Sequence, residues 1–92
     1  MIQEARWRIR VFGKVQGVFF RKYAQKTAHA LGVVGFARNE LDGSVLIEVE
    51  GPPAQLELFL QWAHRGSPAA RVEKVEVEKE LPLRRDKEFL IG

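Results

Sequence analysis

The feature that most constrains this chain is a change of hydrophobic period that happens twice. From Arg6 to Phe12 polar and apolar residues alternate: Trp7, Ile9 and Val11 on one face, Arg6, Arg8 and Arg10 on the other. That is the period of a strand with one face on a core and one on water. From Phe20 the spacing becomes helical, with Phe20, Ala24, Thr27, Ala28 and Leu31 in one stripe, Tyr23 beside it and Gly32 at the helix end. Val33 to Asn39 reads as a second strand, Asp42-Gly43 as a turn, and Val45, Ile47 and Val49 as the inward side of a third strand whose outward side is Leu46, Glu48 and Glu50. Pro52-Pro53 then opens a second helix with Leu56, Phe59, Leu60 and Ala63 buried. Gly66 and Pro68 end it. Arg71 to Leu81 supplies a fourth strand with Val75 and Val77 inward, Pro82 to Lys87 a charged loop, and Phe89 to Ile91 a short last strand.

The order βαββαβ specifies an α+β sandwich of the ferredoxin-like kind. Right-handed crossovers give an antiparallel sheet in the order 4-1-3-2 with both helices on one face. The arginines of the central first strand then stand between the outward glutamates of both neighbours, and such opposite-charge pairs support that register. With 92 residues the chain is read as one domain, residues 1–92. There is no cysteine, which excludes a disulfide scaffold, a thiolate nucleophile and a cysteine-ligated zinc. His29 and His64 form no ligand-spaced cluster and are read as surface helix residues, whereas Trp7 and Trp62 are read as core anchors. No apolar run approaches the roughly 18 residues of a membrane span. Met1-Ile2-Gln3-Glu4 carries no signal-peptide core, so the reading is a cytoplasmic protein without membrane association.

Topology points to a site. The first and second strands run parallel and end at one edge of the sheet, where the loop from Gly13, the start of the first helix with Arg21, and Asn39 all converge. A helix start offers unpartnered N–H groups with partial positive charge. Glycines let loop N–H groups turn toward one point, and arginine adds a planar fork matched to phosphate oxygens. Together they suit a phosphoryl dianion with no metal and no cofactor. Other phosphate chemistries fit poorly. Only three residues separate Gly13 from Gly17, with no Gly-Lys-Ser/Thr after them, so this is not a Walker A loop. No cysteine precedes Arg21, and no acidic cluster near it awaits two metals. What remains is direct attack by water on a phosphoryl group with a good leaving group, a carboxylate being one. Asn39 can hold that water.

Gly13-Lys14-Val15-Gln16-Gly17-Val18-Phe19-Phe20-Arg21 resembles the first signature of the acylphosphatases, and Gly35-Phe36-Ala37-Arg38-Asn39-Glu40-Leu41-Asp42-Gly43-Ser44-Val45 resembles the second. Gly66 to Val72 is similar to the stretch before the family's fourth strand. The resemblance implies hydrolysis of the carboxyl–phosphate anhydride of small-molecule acyl phosphates. It implies Arg21 and Asn39 as the catalytic pair, Arg21 on the phosphate and Asn39 on the water. The amides of Val15, Gln16, Gly17, Val18, Phe19 and Phe20 would line the phosphate cradle, and inorganic phosphate or sulfate would be a site ligand. Small departures stand out: Phe36-Ala37 replaces a commoner Trp-Val, Glu40 stands where some members have threonine, and a terminal Arg-Tyr is absent. A carboxylate at Glu40 has to point away from the phosphate. Two other classes share this fold. One is a non-catalytic anion-binding module. The other is an RNA-binding domain, which needs an aromatic platform on the open sheet face. Strand arginines and glutamates occupy that face here. A monomer is expected.

Overall fold

The computed structural model describes residues 3–92. The elements follow in the order β1 (Ala5–Lys14), α1 (Phe20–Leu31), β2 (Val34–Asn39), β3 (Val45–Gly51), α2 (Pro53–Arg65), β4 (Arg71–Leu81) and β5 (Phe89–Ile91). The sheet order is β4-β1-β3-β2-β5. The four-strand core of that order is the one the periodicity predicts. The short last strand extends it, lying parallel to β2 with Phe89 opposite Gly35 and Ile91 opposite Ala37.

Alternation explains the inner face. Trp7, Ile9 and Val11 of β1 and Val45, Ile47 and Val49 of β3 pack against Ala24 and Ala28 of α1 and Leu56, Phe59 and Ala63 of α2. Tilted aromatic contacts run from Phe20 to Trp62 (5.0 Å), Trp62 to Phe59 (5.4 Å) and Phe59 to Phe89 (6.0 Å). This chain of rings ties the first residue of α1 to α2 and β5, so it fixes where the helix begins. Trp62 is buried, as its reading as an anchor requires, and His29 and His64 are exposed.

The outer face corrects one expectation. Arg6 does not face water: it is fully buried, with Glu48 and Glu50 beside it. Its Nε donates to Glu48 (2.7 Å), and its Nη1 donates to Glu50 (2.9 Å) and Asp86 (3.1 Å). The segment between β4 and β5 folds across this end of the sheet, bringing Asp86 over Arg6. The backbone N–H groups of Arg84 and Arg85 donate to the Glu50 carboxylate at 2.8 and 2.9 Å. Alternation reports which side of a strand a residue takes, not whether a later segment covers that side. Arg8 stays half-exposed and bridges Glu48 and Glu78 on the two neighbouring strands, as the charge pattern implies. Val77, read as inward, is part-exposed in the middle of β4, the edge strand of the sheet, opposite Ile9.

The open face also holds two aromatic rings, Phe12 and Phe36. Neither is a free platform. Lys74 lies 5.2 Å from the Phe12 ring centre, and Arg38, Arg6 and Arg84 lie 5.6, 6.0 and 6.0 Å from that of Phe36.

Candidate active site

Strands β1 and β2 both pair antiparallel with β3, so they run parallel and end at the same edge. Gly13, next to the end of β1, takes φ 128°, and a Cβ there would strike the carbonyl oxygen of Arg71. Only glycine lets the chain pass so close to β4 before it turns outward. Gly17 follows at φ 73°. A Cβ on Gly17 would meet nothing within 4 Å, so its backbone angle, not lack of room, is the constraint. Phe19 also takes a left-handed conformation (φ 60°, ψ 25°), which costs a non-glycine residue about 1–2 kcal/mol.

From there α1 starts without a side-chain cap. The first helical bond runs from the Tyr23 N–H to the Phe19 carbonyl (3.1 Å), leaving the N–H groups of Phe20, Arg21 and Lys22 without an intrahelical acceptor. Two side chains hold the loop. Ser67 Oγ donates to the Val18 carbonyl (2.7 Å), and Gln16 Nε2 donates to the carbonyls of Glu40 (2.8 Å) and Ser44 (2.9 Å).

A pocket of about 270 Å3 opens at this edge. It is lined by Val15, Gly17, Phe19, Phe20, Arg21, Lys22, Asn39 and Ile91. Arg21 and Asn39 therefore share one cavity although they come from different segments. Gln16 and Val18 do not line it. The Gln16 side chain turns to the β2–β3 turn, and Val18 is buried in the core. Glu40 points away, pairing with Arg38 (3.2 Å) and Arg10 (3.8 Å).

Sequence reasoning missed the contribution of β5. Ile91 forms part of the pocket wall, and Arg21 Nη1 donates to the backbone oxygen of Gly92. Gly92 is in turn anchored by its N–H on the Ala37 carbonyl (2.8 Å). Three apolar residues carry no local signal for such a place. It follows from the strand pairing alone.

The strongest electrostatics lie toward the opposite end of the sheet from the site, around Arg6. Burial pushes the Glu48 carboxyl up, but hydrogen bonds from Arg6 and Arg8 outweigh it and hold the group below its ordinary value. Glu50 shows the same balance, with the Arg84 N–H, the Arg6 side chain and the Arg85 N–H overcoming burial. Burial would likewise lower Arg6, yet its three carboxylate partners raise it. This cluster clamps the segment that leads into β5, and so supports the Ile91 wall. Among the described residues no group of three or more His, Cys, Asp or Glu side chains could hold a metal ion. Among the described residues no helix is long and apolar enough to cross a membrane.

A model of the acylphosphatase family matches residues 7–91. The chain belongs to the acylphosphatase family. An acylphosphatase of Thermococcus kodakarensis is 44% identical over 81 residues, covering 88% of this chain and 89% of the relative. One of Anaeromyxobacter dehalogenans is 50% identical over 78 residues, covering 85% and 84%. The crystal structure of the Bacillus subtilis acylphosphatase superposes with a TM-score of 0.93 at 35% identity, covering 96% of this chain and 98% of that one. Matches of this extent, to relatives of the same length, favour acylphosphatase hydrolysis over an RNA-binding or purely anion-binding role. They place the chain's activity on acyl phosphates.

Proposed function

We propose that the pocket at the shared edge of β1 and β2 hydrolyses acyl phosphates by direct attack of water on phosphorus, with Arg21 holding the phosphoryl group and Asn39 the water. The observation that carries this reading is that Arg21 and Asn39 line one cavity beside the unpartnered N–H groups at the start of α1. The loop amides of the lining residues Val15, Gly17 and Phe19 and the unpartnered first-turn amides from Phe20 onward form the nest for the phosphoryl oxygens, and the guanidinium adds a planar fork. The Asn39 amide orients water in line with the acyl oxygen. As the water oxygen bonds to phosphorus, the bond from phosphorus to the acyl oxygen breaks and carboxylate leaves. The water's proton passes to a phosphoryl oxygen. Carboxylate is a good leaving group, so this chemistry needs charge stabilisation and positioning more than acid catalysis, and it asks for no metal or cofactor. Inorganic phosphate and sulfate compete for the same cradle. We read the working unit as a monomer of the cytoplasm, since a single chain brings both Arg21 and Asn39 to the cavity and the protein has no cysteine.

The test separates the two roles. Arg21→Ala loses phosphate affinity and slows turnover by about 10²–10³-fold, and Arg21→Lys does not restore it, because a point charge cannot replace the fork. Asn39→Ala lowers kcat by a similar order while the phosphate dissociation constant stays close to that of the native protein. Equal loss of phosphate binding in both variants would make Asn39 a phosphate ligand. Activity abolished by EDTA and restored by Mg²⁺ would defeat the metal-free reading.

A further inference from the structure

Two large apolar side chains stand exposed in the lining of this pocket, from elements distant in sequence. Phe19 precedes α1 and is 71% exposed, and Ile91 in β5 is 41% exposed. Phe19 holds that position in a left-handed conformation that phenylalanine adopts only under strain. The exposed ring adds nothing to the core, and its side chain does not cap the helix. A strained, solvent-exposed aromatic at the mouth of a catalytic cavity is unexplained by folding and is explained by a ligand.

We infer that Phe19 and Ile91 form the acyl-group subsite, and that it favours acyl phosphates with an aryl or extended alkyl acyl group over acetyl phosphate. The inference rests on the hydrolytic reading above. The phosphoryl end of the substrate occupies the side of the cavity built from Arg21, Asn39 and backbone N–H groups. The acyl group then leaves along the apolar lining, which Phe19 and Ile91 supply. An acetyl group is too short to cover either side chain. An aryl ring covers both and gains the burial.

The experiment measures kcat and KM for benzoyl phosphate and acetyl phosphate in the native protein, Phe19→Asn and Ile91→Ser. Asparagine tolerates the left-handed backbone, so Phe19→Asn removes the ring while keeping the loop path. The native protein favours benzoyl phosphate. In Phe19→Asn the ratio of kcat/KM for benzoyl over acetyl phosphate falls about tenfold, as loss of some 50 Å2 of apolar contact implies. The loss appears mainly as a raised KM for benzoyl phosphate. Ile91→Ser shifts the ratio in the same direction by a smaller factor. A merely structural role would lower both substrates alike and leave the ratio unchanged. An unchanged ratio in Phe19→Asn, with both substrates still turned over, overturns the subsite and leaves the hydrolytic reading intact. No turnover of either substrate by the native protein overturns both.

Discussion

The side-chain amide of Gln16 donates to the backbone carbonyl of Glu40 at 2.8 Å, and a second bond from the same nitrogen reaches Ser44 at 2.9 Å. One side chain thus fastens the loop before α1 to the turn after β2. Those segments adjoin Arg21, in the first turn of α1, and Asn39, the last residue of β2. Gln16 adds nothing to the cavity lining, yet it sets the spacing across it.

Replacing Gln16 by glutamate keeps the shape but removes the donor, leaving an anion facing two carbonyl oxygens. Gln16→Glu loses about 1–3 kcal/mol of stability, because the Glu40 and Ser44 carbonyls keep their backbone N–H donors but now face a partly buried carboxylate. Its kcat falls more than its phosphate affinity, because the turn that follows Asn39 loosens while Arg21 stays on its helix. Denaturant titration and steady-state kinetics measure the two effects. Native stability and native kcat in this variant would deny the fastening role.

At Gly17 the open space and the positive φ make different forecasts. If φ is the constraint, Gly17→Asn is tolerated better than Gly17→Ala, and Gly17→Val is worst, with alanine costing about 1 kcal/mol. If crowding of the bound anion rules instead, asparagine is worse than alanine. Thermal midpoints and phosphate affinities for the three variants decide between them.

Arg6 neutralises carboxylates that are themselves buried. Arg6→Met removes the cation and leaves Glu50 facing only backbone N–H groups and Glu48 facing only Arg8. The loss expected for breaking such a pair is about 3–5 kcal/mol. Adding Glu50→Gln to Arg6→Met recovers part of it, since the stranded charge is gone. A loss below about 1 kcal/mol in Arg6→Met would mean that water reaches the cluster.

The same cluster sets an acid limit. Glu48 and Glu50 sit below their ordinary value of 4.5 in the folded protein, so the unfolded chain binds protons more readily. Their contribution is therefore complete above that value and is lost as pH falls through the lower folded values. The thermal midpoint stays level from neutral pH to about pH 5 and then declines. Glu50→Gln starts lower and declines less steeply. A native midpoint unchanged down to pH 3 would rule out these groups as the source of acid sensitivity.

What the sequence determined by itself is whatever contiguous residues encode. The two changes of period place strands and helices. Gly13 and Gly17 shape the loop, and the helix start at Phe20 puts Arg21 in its first turn. Strand order then brings Asn39 to the same edge, because β1 and β2 each pair antiparallel with β3. Tertiary structure decided the rest. Alternation puts Arg6 on the outer side of β1, but only the path of the segment carrying Arg84 to Asp86 turns that side into an interior. Likewise Phe89 to Ile91 is a short apolar run with no local preference for a neighbour. Its pairing beside β2 alone makes Ile91 a wall of the pocket and brings Gly92 to Arg21. Period and turn chemistry are local properties, readable in a few consecutive residues. Burial and cavity walls depend on which distant segment arrives to cover a face, and that is set by the free energy of the whole packed chain.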